Sequence, residues 1–296
     1  MLLLLLLPIA GADASEPPLI LLSDTGTSYA AVRDAIETHY PGPVKTAALP
    51  STGAKEATLI MAVGTRACER ALFLATDKQR LICVYLPAAT FYELTDAEKG
   101  QRLLAEKRLS ALFLDQPFDR QIRLGKLIRP QARSVGSAVG EAGSRQYDAF
   151  ANAAADAGLT LRVARLGAND NPVEALTPVI EQSDFFVPIP DRSVFNRAAA
   201  KWILYITLRS QVPLIGFSAS YADAGAVASL YSTPDQIARQ CARMLTLAET
   251  TAELPPPQYP EQFSISVNRT AARNLRLQLP STEILSAQLQ AQEPER

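Results

Sequence analysis

The chain has 296 residues, 48% of them apolar, and a formal net charge of −1 at pH 7. It can bury a sizeable core and is longer than the usual single domain, so one large domain or two lobes is expected and a miniprotein is excluded. Acids and bases are interspersed, without the basic face that a nucleic-acid backbone or anionic lipid requires, so no nucleic-acid partner is expected.

In chain order, MLLLLLLPIAGADASEPP comes first: a leucine-rich core of signal-peptide length, then Ala12-Asp13-Ala14, a small-x-small pattern suited to cleavage before Ser15. Residues 1–14 are expected to be a removed export signal. No positive residue separates Met1 from the leucines, which leaves room for a true start further upstream. No later stretch reaches the roughly 18 apolar residues of a membrane span. The nearest, Trp202–Leu208, is flanked by Lys201 and Arg209, and no cysteine follows the signal to carry a lipid. The mature protein is expected to be soluble, periplasmic and monomeric, meeting the membrane only through a partner.

Short apolar runs then alternate with helical patterns. Strands are predicted at Leu19–Ser23, Val44–Leu49, Thr58–Val63, Leu81–Leu86, Leu109–Leu114, Ser134–Val139, Leu159–Leu166, Phe185–Ile189 and Val212–Phe217. LIMAV and LICVYL are apolar at consecutive positions, the mark of strands covered on both faces in a parallel sheet. Helix starts are predicted where Thr95, Asn171 and Thr233 each stand three positions before Glu or Gln, the last two with proline at the first helical position. Pro130 interrupts the next pattern and places the crossover between halves near 129–133; the Pro-rich segment 254–260 reads as a surface linker.

Cys68, Cys83 and Cys241 are widely spaced with no neighbouring histidine. A disulfide pair is one reading, and buried small apolar residues are the preferred one. No metal or cofactor is expected. His39, the one histidine, sits at a predicted helix end and is expected to cap carbonyls there.

In doubly wound sheets, ligands settle outside the carboxyl ends of the strands, where helix N-termini expose unpaired N–H groups. Five loops of this chain fit that edge: SDTGT (23–27), Gly64-Thr65-Arg66, GEAGS (140–144), the turn through Asp191-Arg192-Ser193, and SASY (218–221). Each hydroxyl there either caps its own helix or faces a shared cleft. The candidate ligand contacts are Thr25, Thr27, Thr65, Arg66, Glu141, Ser144, Asp191, Ser193, Ser218 and Tyr221.

VGSAVGEAGSRQYDAFANAAADAGLTL, SDFFVPIPDRSVFN, VPLIGFSASYADAGAVASLYSTPDQIARQCARML and FSISVNRTAARNLRLQLP occur in this order over roughly residues 131–285. That order and spacing resembles the exported substrate-binding components of a family of ABC importers, the group with tryptophan- and tyrosine-binding members. The resemblance implies an α/β, two-lobed, periplasmic-binding-protein-like (type I) fold, each lobe a doubly wound, mainly parallel sheet flanked by helices. The expected lobes are 15–130 with 231–252, and 131–230 with 253–296, FSISVN adding a strand to the second. It also implies a small-molecule ligand in the interlobe cleft and an ABC permease as partner. For an amino acid, Thr65 or Ser144 would meet the carboxylate, Asp191 the ammonium with Glu141 second, and Tyr221 a ring.

The first half departs from that pattern. YLPAATFYEL (85–94) has Pro87 but no aspartate before it, so part of the first-lobe pocket is rewritten, and either the ligand differs or binding has been lost. No Gly-x-Ser-x-Gly, HExxH, Walker or GxGxxG pattern is present, and a single histidine leaves little scope for a triad. An enzyme is not expected; a carboxylate pair of Asp191 and Glu141 is the remaining catalytic alternative. The competing binding role is a ligand-sensing module that docks onto an envelope partner.

Overall fold

A computed structural model describes residues 16–51, 53–140, 144–167, 169–189 and 197–293. The expected export signal lies outside the described residues. The first half builds β1 (Leu19–Leu22), α1 (Thr27–His39), β2 (Lys45–Ala48), β3 (Leu59–Val63), α2 (Thr65–Leu74), β4 (Arg80–Leu86), α3 (Ala88–Leu94), α4 (Glu98–Ala105), β5 (Leu109–Phe113) and α5 (Phe118–Ile128). The strands pair in parallel in the order β2-β1-β3-β4-β5. β1, β3 and β5 are buried at every position, which is why their sequences are apolar without alternation. Cys68, Ala71, Phe91 and Leu103 cover one face, from α2, α3 and α4.

The second half builds β6 (Ser134–Gly140), α6 (Ser144–Asp156), β7 (Thr160–Leu166), α7 (Pro172–Glu181), β8 (Phe185–Phe186), α8 (Arg197–Arg209), β9 (Ile215–Gly216), α9 (Ala219–Ala224), β10 (Ala228–Tyr231), α10 (Pro234–Thr250), β11 (Ser264–Val267), α11 (Arg269–Asn274) and α12 (Thr282–Gln290). The triplets β7-β6-β8 and β9-β10-β11 are joined where Phe186 bridges Leu214 and donates its N–H to the Pro213 carbonyl at 2.8 Å. A second sheet of order β7-β6-β8-β9-β10-β11 results, with β11 antiparallel to β10.

The cores separate into two lobes. Ile237, Cys241 and Leu245 of α10 pack with Val32 and Ile36 of α1 against the other face of the first sheet, so this helix returns to the first lobe as expected. Helix α5 does not stay there. Phe118, Ile122, Leu124 and Ile128 are buried with Val135, Phe150 and Phe185, and the Phe118 and Phe150 rings meet edge to face at 5.2 Å. The crossover therefore falls between Phe113 and Phe118, ahead of the expected break at 129–133. Residues 254–260, expected as a surface linker within the second lobe, instead run beside β5. Leu254 N–H bonds the Lys107 carbonyl, Gln258 N–H the Ala111 carbonyl, and Phe113 N–H the Gln258 carbonyl.

Four further expectations are corrected. The Thr95 hydroxyl donates backwards to the Phe91 carbonyl at 3.0 Å and closes α3, while Ala97 precedes α4 without a side-chain cap. No strand is predicted between Phe217 and Thr233, yet β10 forms at Ala228–Tyr231, whose ASLY is too short and too small to announce a strand until β9 and β11 flank it. Cys68 and Cys83 form a disulfide between α2 and β4, and only Cys241 is a free, buried thiol. The caps at Asn171 and Thr233 form as expected, the latter as a full capping box with Gln236. His39, expected to cap carbonyls at the end of α1, instead meets the Asp235 side chain of α10 at 2.7 Å, and α1 is closed by the Tyr40 N–H on the Ile36 carbonyl.

The chain passes between lobes at 114–117, 232–233 and 261–263. Each passage leaves from the carboxyl edge of one sheet, or from the segment parallel to β5, and enters the other lobe at its own carboxyl edge: at the start of α5, of α10, and of β11 opposite Tyr231. The two carboxyl edges consequently face each other across the three passages.

Candidate functional site

In a doubly wound sheet, the crevice opens where successive helices switch faces, at the carboxyl ends of the two strands involved. The observed orders put that switch between β1 and β3 in the first lobe and between β6 and β8 in the second. Thr25, Thr27, Thr65 and Arg66 follow β1 and β3. Glu141 and Ser144 follow β6, and Asp191 and Ser193 follow β8. Ser218 and Tyr221 follow β9, one strand further along. Glu141, Asp191 and Ser193 lie outside the described residues; Ser144 is described only as the first residue of α6.

On the first-lobe edge, the Asp24 carboxylate accepts the Gly26 N–H at 2.6 Å and turns the chain from β1 into α1, leaving Thr25 and Thr27 exposed. Ser23 is fully committed to the fold: its hydroxyl donates to the Val63 carbonyl and accepts the Ala67 N–H, each at 3.0 Å. Gly64, at φ 89°, brings α2 in close. A Cβ there would lie 2.5 Å from the Tyr29 ring and 2.6 Å from the Ser23 hydroxyl, so a side chain is excluded by space and by backbone conformation alike. Thr65 is half-buried and Arg66 exposed.

Two residues missed in the sequence dominate this edge. Tyr29, in the first turn of α1, and Tyr85, near the end of β4, stand edge to face with centroids 6.0 Å apart. Tyr85 adopts φ 61° where the register with β5 slips between Val84 and Leu86. A bulky residue in the left-handed region costs on the order of 1–3 kcal/mol, and bulges next to sites re-aim side chains. Burial, and then Tyr29, raise the Tyr85 phenol above its usual pKa. Two tyrosines flanking Gly64 at strand and helix ends were the available signal, but only the fold brings them together.

After β4 the rewritten loop has a distinct solution. The Ala88 N–H that opens α3 donates to the Asp115 carboxylate at 2.8 Å. Burial pushes the Asp115 carboxyl up to about 6, against the Ala88 N–H and its own backbone N–H, which favour the ion. The aspartate missing before Pro87 is thus replaced by one arriving from the end of β5, and that helix end is occupied by the protein's own carboxylate.

On the second-lobe edge, Ser218 precedes α9, and its side chain makes no capping bond. The Tyr221 ring leans on Phe217 at 4.8 Å. Its hydroxyl is buried without a hydrogen-bond partner among the described residues, and burial pushes its pKa up to about 12. A Cβ at Gly216 would come within 2.5 Å of both Tyr221 and the Ser229 hydroxyl, so glycine lets Tyr221 lie flat on β9. The opposed edges thus offer helix N-termini, hydroxyls and tyrosine rings. Among the described residues, no three His, Cys, Asp or Glu side chains gather to hold a metal.

No family model matches the chain, and no curated protein matches it. Solved structures do. A substrate-binding protein with adhesive properties from Clostridium difficile, in a ligand-free, open structure, aligns with a TM-score of 0.69 at 15% identity, covering 90% of this chain and 97% of that one. A conserved domain protein from Vibrio cholerae aligns at 0.61 and 17%, covering 92% and 98%. An ABC domain from Streptococcus pneumoniae in complex with L-Trp aligns at 0.59 and 14%, covering 91% and 98%. At these identities the likeness establishes the fold: a two-lobed, type I periplasmic-binding-protein-like architecture.

Proposed function

We propose that the protein is an exported solute-binding protein whose lobes close on a small polar metabolite, an amino acid first among candidates, and present it to an ABC permease. The observation that carries this reading is the pair of facing carboxyl edges, each at a topological switch point. A ligand bridging them favours the closed state by its differential affinity, and the closed form is what a permease selects. Binding of this kind needs no covalent chemistry, so no catalytic residue is assigned. The Tyr29–Tyr85 pair, and the Tyr221 hydroxyl with no hydrogen-bond partner among the described residues, suit a ligand with a ring and a polar group. Two of the similar structures are described as a substrate-binding protein and as an L-Trp complex, which supports this choice of ligand class.

The test is a thermal-shift screen of the mature protein against amino acids, L-tryptophan included. A ligand at a hundred times its dissociation constant is expected to add about 2.7 kcal/mol of stability. No shift with any amino acid would overturn the amino-acid assignment.

Export belongs to the same reading. The Cys68–Cys83 disulfide supports it, since such bonds persist in oxidising compartments. Protein from the envelope fraction is expected to begin at Ser15 by mass spectrometry; cytosolic material retaining Met1 would refute this. A second reading, a ligand-sensing module docking onto an envelope partner, is favoured by one observation: Asp115 already occupies the start of α3, so the first-lobe edge is not simply that of a transporter component.

A further inference from the structure

A buried hydrogen-bonded cluster lies where the three interlobe passages meet. Arg120 of α5 is 0% exposed. Its Nε and one terminal nitrogen bond the two carboxylate oxygens of Glu293 at 2.9 and 2.5 Å, a bidentate pair. The other terminal nitrogen bonds Gln116 Oε1 at 2.5 Å and the Pro260 carbonyl at 2.9 Å. The guanidinium also sits over the Phe263 ring, 5.0 Å from its centroid. From Gln116 the network continues: its Nε2 donates to the Ser232 hydroxyl at 2.6 Å, and that hydroxyl donates to the Gln262 carbonyl at 2.6 Å.

Gln116 lies in the first passage, Ser232 in the second, and Gln262 and Phe263 in the third. One buried cation therefore ties all three to each other and to the second lobe. Glu293 comes from beyond α12 and also takes Arg123 at 2.9 Å, so the C-terminal segment supplies the counter-charge. A buried guanidinium needs such a partner, because an uncompensated charge in a low-dielectric interior is strongly unfavourable.

We propose that Arg120 and Glu293 are positioning residues for lobe closure: the C-terminal segment latches the hinge, binds the three passages into one pivot, and so restricts the lobes to a single path of opening. The proposal rests on the closing motion proposed above, but its test reads the hinge directly. In a Cys241→Ser background, nitroxide labels at Glu56→Cys in the first lobe and Asn274→Cys in the second, both exposed positions, report the interlobe distance by double electron–electron resonance. The unsubstituted hinge is expected to give one narrow distribution. The paired change Arg120→Met with Glu293→Met removes both charges together, which folds preserve far better than the loss of one, and is expected to add a second, longer distance population. Gln116→Leu leaves the ion pair in place while cutting the ties to Ser232 and Arg120, and is expected to do the same. A wild-type distribution in either folded variant overturns the proposal. Failure of L-tryptophan or any other amino acid to shorten the distance in the unsubstituted hinge would count against the ligand reading alone.

Discussion

At Asp115 a carboxyl is partly buried, and the Ala88 N–H and its own N–H favour the ion against that burial. Its folded-state value is raised from 3.8 to about 6, so between those limits the native state binds more protons than the unfolded chain. Stability from this group therefore falls as pH rises through that window and is level above it. Asp115→Asn keeps an oxygen for the Ala88 N–H and removes the charge. It is expected to stabilise the protein at pH 7 by at most about 3 kcal/mol and to leave it unchanged near pH 4. Urea unfolding at the two pH values checks this, and an equal gain at both would refute it. Asp184 has the opposite sign. Burial disfavours its ion, but the N–H groups of Arg133 and Ser134 and the Ser134 hydroxyl outweigh that and hold its carboxyl below the usual value. Its contribution is present above the unfolded value and lost as pH falls, so Asp184→Asn is expected to flatten the acid limb of the same stability curve. Neither behaviour was legible in the sequence, because each depends on a backbone N–H brought from elsewhere in the fold. The same holds for Tyr85, whose φ of 61° no propensity announces.

Among the elements, those with a local cause were legible. Strands β1, β3 and β5 are apolar on consecutive positions because both faces are covered, and Asn171 and Thr233 cap helices whose first residue is proline. Thr95 had the Glu three positions on but no proline after it, and its hydroxyl bonds the Phe91 carbonyl in the turn behind it instead of capping α4. The switch-point loops were legible as glycine and hydroxyl clusters, whereas Tyr29 and Asp115 join the site only through the packing of α1 and the passage after β5. The disulfide lies between these cases. Cys68 and Cys83 are separated by 15 residues, and only the packing of α2 on β4 brings them together. Closing a loop of that size removes unfolded-state freedom worth about 3 kcal/mol. Replacing both by alanine is expected to lower the urea midpoint by a corresponding amount, with the ligand response retained; an unchanged midpoint would mean that the packed α2 and β4 carry the stability without the bond.

At the scale of the molecule, the lobes are discontinuous in sequence: α10 and residues 254–260 complete the first lobe after the chain has built most of the second. The first sheet presents Ile20, Met61, Ile82 and Leu112 on the face where α10 adds Ile237, Ala238, Cys241, Met244, Leu245 and Ala248, all nearly or fully buried. The edge of β5 is completed by residues 254–260, again from beyond the second lobe. A fragment of residues 16–117 therefore holds every strand of its sheet and α1, and lacks α10 from the second of its two covering layers. Burial of such side chains contributes about 1.5–3 kcal/mol for each large aliphatic, which together exceeds the net stability of 5–15 kcal/mol expected of a domain once several are exposed. The fragment is expected to be compact but without fixed packing: strand and helix signal in the far ultraviolet, little near-ultraviolet signal, and no cooperative melt. Adding a peptide of residues 233–260 in trans is expected to restore a cooperative transition, since it supplies α10 and the edge segment together. A sharp, peptide-independent transition in the fragment would show that the first lobe does not need α10, and that the passages between lobes serve movement alone.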